Sequence, residues 1–130
     1  MGRTVIAAGL LVALCGAAVA DPVDLTDDQV KAVEKAVKAV LKDPYSAVLS
    51  RPGAATTNLS LSLTVCGLWN AKNGMGGYNG QSVYMGQFWS HDQGKTYDPA
   101  SFELIKIVEP GYESKSLLAT CQDQGVVIPE

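Results

Sequence analysis

Two cysteines, Cys66 and Cys121, remain in this chain once its first 20 residues are read as an export signal, and two cysteines allow a single intramolecular pairing. The signal reading rests on three features. Arg3 supplies a positive n-region, Val5 to Cys15 an apolar core, and Ala18-Val19-Ala20 the small-x-small pattern before a cleavage point. The apolar run from Val5 to Ala20 is 16 residues, short of the roughly 20 that a membrane span needs. Lipidation at Cys15 is the weaker option, because Leu14 stands where such sites want a small residue. The expected product starts at Asp21, has no transmembrane segment after signal removal, and is periplasmic or secreted, where disulfides persist. A structural Cys66–Cys121 disulfide then closes a loop worth about 4 kcal/mol in the chain-entropy account. A metal or redox pair has no Cys-x-x-Cys to support it, and the single histidine, His91, lies well away in sequence.

Removing 20 residues from 130 leaves 110, enough for one core and too few for two. The expected organisation is a signal peptide over 1–20 and a single α+β domain over 21–130. Loss of Arg3 shifts the formal charge from −3 to −4. A mildly acidic chain without clustered lysine and arginine points away from nucleic acid and anionic lipid.

The pattern along the chain supplies the elements. Thr26 and Gln29 are spaced as a capping box, with Leu25 and Val30 as a hydrophobic staple and Asp27 and Asp28 in the first turn. Val30, Val33, Val37, Val40 and Leu41 follow at helical spacing, and Pro44 stops the helix. Tyr45 to Leu49 reads equally as another helical turn or an edge strand, and Arg51-Pro52-Gly53 as a turn. Leu59, Leu61, Leu63 and Val65 alternate with Ser60, Ser62 and Thr64, the clearest strand in the chain. Further strands are expected over Ser82 to Trp89 and Phe102 to Val108. A helix over Ser114 to Asp123 sets Leu117, Leu118 and Cys121 on one face, with Gly125 as its cap. Val126 to Ile128 is a tail strand or a docked terminus. The expected fold is α+β: a small antiparallel sheet of about three strands with an N-terminal and a C-terminal helix on one face, tied by one disulfide.

Between Asn70 and Gly80 lie four glycines and three asparagines, residues that tolerate positive φ. No Gly-Lys-Ser/Thr follows, and the glycines miss the dinucleotide spacing, so this is not a phosphate loop. Two readings stay open: a rigid contact loop presenting Lys72, Met75 and Tyr78, or a self-packed loop whose asparagines satisfy its backbone. Trp69, Tyr78, Tyr84, Phe88 and Trp89 flank it, as a contact surface or as core filling. His91 has Asp92 beside it and Asp98 further on. No nucleophile elbow accompanies them, and neither a catalytic set, a metal site nor a cofactor is expected.

Leu41-Lys42-Asp43-Pro44-Tyr45-Ser46-Ala47, then Val65-Cys66-Gly67, Asn70-Ala71-Lys72-Asn73, Gly76-Gly77-Tyr78 and Gly80, resemble segments of a group of small exported bacterial proteins. Its members share K-D-P-x-S-A and V-C-G-x-x-N-A-K-N-x-x-G-G-Y-x-G patterns and a later cysteine, here Cys121. The resemblance implies an envelope or secreted protein. No activity is attached to the group, so it carries over no catalytic residue.

The functional expectation is a non-enzymatic binding module that meets a protein or cell-envelope partner through Lys72, Asn73, Met75, Tyr78 and Trp69. The alternatives are an inhibitor of a hydrolase, a structural cell-envelope protein, and a small hydrolase using His91.

Overall fold

The computed structural model describes residues 21–56, 61–78 and 80–129. The expected signal over 1–20, with Cys15, lies outside the described residues, as does Asn58-Leu59-Ser60. Thr26 opens the first helix, α1 (Asp27–Val40), through a closed capping box. Its hydroxyl accepts from the Gln29 amide at 3.2 Å, and the Gln29 side-chain oxygen accepts from the Thr26 amide at 2.9 Å. Two amides left bare by helix geometry are thereby satisfied. Gln29 also donates from its side-chain nitrogen to the Tyr97 carbonyl at 2.9 Å, tying the helix start to a loop 68 residues away. Val33 and Val37 are fully buried and Leu41 packs partly buried against their cluster, whereas Val40 of the same expected stripe is exposed.

Five antiparallel strands form one sheet among the described residues: β1 (Val48–Leu49), β2 (Gly53–Thr56), β3 (Ser62–Asn70), β4 (Ser82–Trp89) and β5 (Glu103–Ile107). The order is β1-β3-β4-β5, with β2 also paired to β3. About three strands are expected from sequence, and the two additions are β1 and β2. Both are short, and Gly53-Ala54-Ala55-Thr56 has little intrinsic strand preference. Pairing with β3 is what makes them strands: Leu49 sits opposite Trp69, and Ala54 opposite Val65. The turn expected at Arg51-Pro52-Gly53 accordingly gives way to strand at Gly53. A side chain there would run into the Val127 carbonyl, so this glycine lets the C-terminal tail lie against the strand.

Both sheet edges are managed. Residues Asp21 to Val23 run along β2, with the Val23 amide donating to Ala54 at 2.9 Å and the Thr56 amide donating to Asp21 at 3.0 Å. On the far side, the β4–β5 register slips between Met85 and Gly86, a bulge of the kind that twists an edge away from other chains.

The second helix, α2 (Tyr112–Asp123), corrects a further expectation. The two helices pack on opposite faces of the sheet, not on one. Strand parity decides this. Leu63, Val65 and Trp69 of β3 join Val33 and Val37 of α1 with Tyr84 and Phe88 of β4. Cys66 points the other way, and its cluster holds Val83, Val108, Leu117 and Cys121. The Cys66–Cys121 disulfide, both halves buried, spans 55 residues and pins α2 to that face. The side of β3 that reads as polar is therefore covered too: Thr64 is buried and its hydroxyl lies 3.0 Å from the Gln124 side-chain oxygen. Gly125, at φ 81°, turns the chain out of α2. The Val126 amide then donates back to Cys121 at 3.0 Å, a Schellman closure that buries Val126. The tail beyond is a docked terminus and not a strand.

Two glycines make room for rings. A side chain at Gly67 would land on the Tyr84 ring, and one at Gly86 on the Phe102 ring. Phe102 in turn packs against Phe88 at 5.0 Å between ring centroids. Gly67→Ala is expected to destabilise by about 1–3 kcal/mol, as overpacking does. Gly74→Ala, where nothing lies within 4 Å, leaves the urea midpoint unchanged or slightly raised. Equal midpoints for the two variants in urea unfolding would refute the ring contact as the reason for Gly67.

Candidate functional site

The 70–80 segment leaves the sheet as a small hairpin on the β3–β4 connection. Lys72 and Tyr78 form an isolated antiparallel bridge, and the residues between them are a turn. Asn73 builds that turn. Its amide donates to the Gly77 carbonyl at 2.8 Å, and its carbonyl accepts from Gly76 at 3.0 Å. Its side-chain oxygen accepts from the Met75 amide at 2.9 Å and the Gly77 amide at 3.2 Å. This is the local satisfaction for which asparagine suits turns. Gly76 and Gly80 take positive φ, 82° and 96°, which L side chains rarely adopt.

The hairpin is fastened to the turn after α1. The Lys72 amide donates to the Ser46 hydroxyl at 2.9 Å, and the Tyr78 hydroxyl donates to the Ser46 carbonyl at 3.0 Å. Ser46 is itself held by Asp43, whose carboxylate accepts from the Ser46 amide at 3.2 Å. The Lys72 ammonium sits 5.9 Å from the centroid of the Tyr78 ring. The two sequence segments singled out above, around Asp43-Pro44-Tyr45-Ser46 and around Asn70-Ala71-Lys72-Asn73, are thus one physical unit joined through Ser46.

The expected contact residues divide. Met75 is 95% exposed at the hairpin tip, Tyr78 is 49% exposed, and Lys72 and Asn73 are exposed. Trp69 is 7% exposed and belongs to the core on the α1 side. Strand parity is the reason: Trp69 continues the inward series Leu63 and Val65. Tyr84 and Phe88 are core as well, so the flanking aromatics mostly fill the interior. Tyr84 lies where burial, with the Glu34 carboxylate adding to it, pushes its phenol above the ordinary tyrosine range. Two residues that sequence reading passed over join the surface. Tyr45, 99% exposed, precedes Ser46, and Val48, also exposed, faces Tyr78 across a shallow groove that Leu68 and Gln81 complete.

On the other side of the hairpin base is a cleft of about 230 Å³. Val40, Leu41, Trp69 and Ala71 line it with Ile107 and Pro110. Lys42 and Lys72 stand at it with Asp43 and Glu109, two charges of each sign. Three buried polar side-chain atoms lack a partner among the described residues: Trp69 Nε1, Asn70 Oδ1 and Tyr84 Oη. Two of the three fall on consecutive residues at the hairpin base.

His91 lies apart from this unit. It is exposed and makes no hydrogen bond or ion pair among the described residues. Asp92 serves its own loop instead, accepting from the Thr96 hydroxyl at 2.6 Å, the Thr96 amide at 2.8 Å and the Ser90 hydroxyl at 2.8 Å. Those bonds, Thr96 first, hold its carboxyl down at about 2. Asp98 caps a 3-10 turn at Pro99–Ser101, accepting from the Ala100 amide at 2.8 Å. No group of three metal-ligating side chains occurs among the described residues.

Two outcomes are expected. Ser46→Ala removes a hydroxyl that accepts from Lys72, costing about 0.5–1.5 kcal/mol and loosening the hairpin. The Lys72 and Gly77 amides should then exchange with solvent faster, and unchanged exchange would show that the fastening is not there. Asp92 is depressed in the folded state from an ordinary value near 3.8, so its loop is fully held above that pH and released as pH falls through about 2. The Thr96 amide signal should titrate with that low midpoint; a midpoint near 3.8 contradicts the hydrogen-bonded carboxylate.

No protein-family model, curated protein or solved structure matches this chain.

Proposed function

We propose that the protein is a non-enzymatic binding module that meets a protein partner outside the cytoplasm through the hairpin and the turn fastened to it. The observation that carries this reading is a contrast within the hairpin and the turn fastened to it. Their backbone is held by Asn73 and Ser46, while Tyr45 and Met75 stand almost fully in solvent beside a half-exposed Tyr78. Tyrosine and methionine are enriched in interface centres, and a loop whose backbone is already ordered has little backbone entropy left to lose on docking. Exported placement follows from the signal-like first 20 residues and suits the buried cystine. Among the described residues, no helix is long and apolar enough to cross a membrane.

Inhibition of a hydrolase is a specific form of the same reading, favoured by a stiff tip that projects one flexible apolar side chain, Met75. A structural role in the cell envelope makes the same surface face cell wall. The hydrolase alternative has His91 without a hydrogen-bonded carboxylate, because Asp92 is committed to Thr96 and Ser90.

A crosslinking pull-down from the periplasm tests the proposal. Tyr45→Ala with Met75→Ala touches no hydrogen bond of the hairpin. It is expected to cut capture of the partner at least tenfold, the scale of an interface anchor, while leaving the melting temperature unchanged. The Lys72→Ala, Tyr78→Ala double variant should do the same with a small drop in melting temperature. Equal capture by native and variant chains would return the hairpin to a purely structural role. Co-sedimentation with purified cell wall separates an envelope ligand from a soluble one.

A further inference from the structure

The hairpin explains why side chains face outward; it does not explain the cleft at its base. Trp69 lines that cleft, and its indole N–H is shut off from water and donates to nothing among the described residues. An unpaired buried donor is costly, and native folds keep few such groups. The same tryptophan side chain elsewhere in this fold is satisfied: Trp89 Nε1 lies 3.3 Å from a Glu103 carboxylate oxygen. The cleft volume of about 230 Å³ exceeds the ~150 Å³ that admits benzene and falls below the ~300–1,000 Å³ typical of drug-sized ligands. One large side chain with its own peptide group is the size that remains. The walls agree. Val40, Leu41, Ile107 and Pro110 are apolar, and the two lysines at the cleft are offset by two carboxylates, so nothing there favours a net charge.

We propose that this cleft is the anchor pocket of the binding surface: it takes one apolar side chain of a partner protein, whose adjoining backbone carbonyl accepts from the Trp69 indole N–H. The inference rests on the binding-module reading and adds to it the chemistry of what is bound. The N–H has almost no exposure, so seating the carbonyl requires the groups over it to move; side-chain rearrangements on docking are common. The carbonyl then satisfies one of the two buried donors left open on this face among the described residues, the other being the Tyr84 hydroxyl.

The chain has two tryptophans, so its indole N–H groups give two signals in a nitrogen–proton NMR spectrum, assigned with Trp89→Phe. The probe is N-acetyl-leucine amide, one apolar side chain between two peptide groups. The Trp69 signal is expected to move along a saturating curve at millimolar probe, as a ligand of this size allows, while the Trp89 signal stays. N-acetyl-glycine amide should need at least tenfold more, for want of the side chain. Val40→Lys should weaken the leucine probe at least tenfold; Val40 is exposed at the cleft and a cation suits a helix C-terminus, so the fold is kept. A Trp69 signal unmoved at ~50 mM probe overturns the pocket, as does a glycine probe that binds as well as leucine. N-acetyl-leucine binding tenfold tighter than its amide also overturns it, by making the site one for anions. Capture by the hairpin is scored separately. Capture lost in the Tyr45/Met75 variant with an unmoved Trp69 signal overturns the pocket and keeps the surface. A saturating Trp69 shift with capture indifferent to that variant upholds the pocket and overturns the surface.

Discussion

Strand β3 is paired along both edges and covered on both faces, and the cystine at Cys66 is what makes the second covering possible. Leu63, Val65 and Trp69 meet α1; one residue out of phase, Cys66 holds α2. α2 contributes few buried residues of its own, chiefly Leu117 and Cys121 with Ser114. A helix with so narrow an apolar stripe has little packing energy to keep it in place, so a covalent tie spanning 55 residues, worth about 4 kcal/mol in the chain-entropy account, matters more here than in a larger domain. The Schellman turn at Gly125 and the tail on Gly53 then extend the same layer.

The candidate site inherits its stiffness from that strand. Trp69 and Asn70 end β3 and begin the hairpin, so the loop springs from a strand paired along both edges. What happens beyond is local hydrogen bonding. Asn73 folds the tip, and Ser46, held by Asp43, reaches across from the α1 stop. The helix already ends at Val40, with Leu41 extended, and Pro44 lies in the turn that holds Ser46. Tyr45, Met75 and Tyr78 are thereby carried on backbone that hydrogen bonds already hold.

Parts of the site are legible in the sequence and parts are not. The asparagine- and glycine-rich composition of 70–80 announces a turn-dense loop, and Asn73 does what asparagine does in turns. Tyr78 and Met75 can be picked out as its large side chains. From sequence the aromatics beside the loop read as contact surface or as core filling; the phase of the strand carries Trp69 inward. Ser46 and Tyr45 stand directly after Pro44 in the sequence, but nothing local links them to a loop some 26 residues on. The cleft is wholly tertiary, since its walls come from the end of α1, the hairpin base and the residues after β5.

By itself, the sequence determined the elements whose physics is local. The capping box at Thr26, the valine stripe, the alternation leading into Cys66, the only possible pairing of two cysteines and the glycine cap of α2 all follow from spacings within a few residues. Only the tertiary structure decided which strands the short 48–49 and 53–56 segments become, which face α2 covers, and which aromatics are buried. Those outcomes depend on what lies opposite in space. A two- or four-residue strand has no periodicity to read, and a helix held by one cystine takes the face toward which that cysteine points.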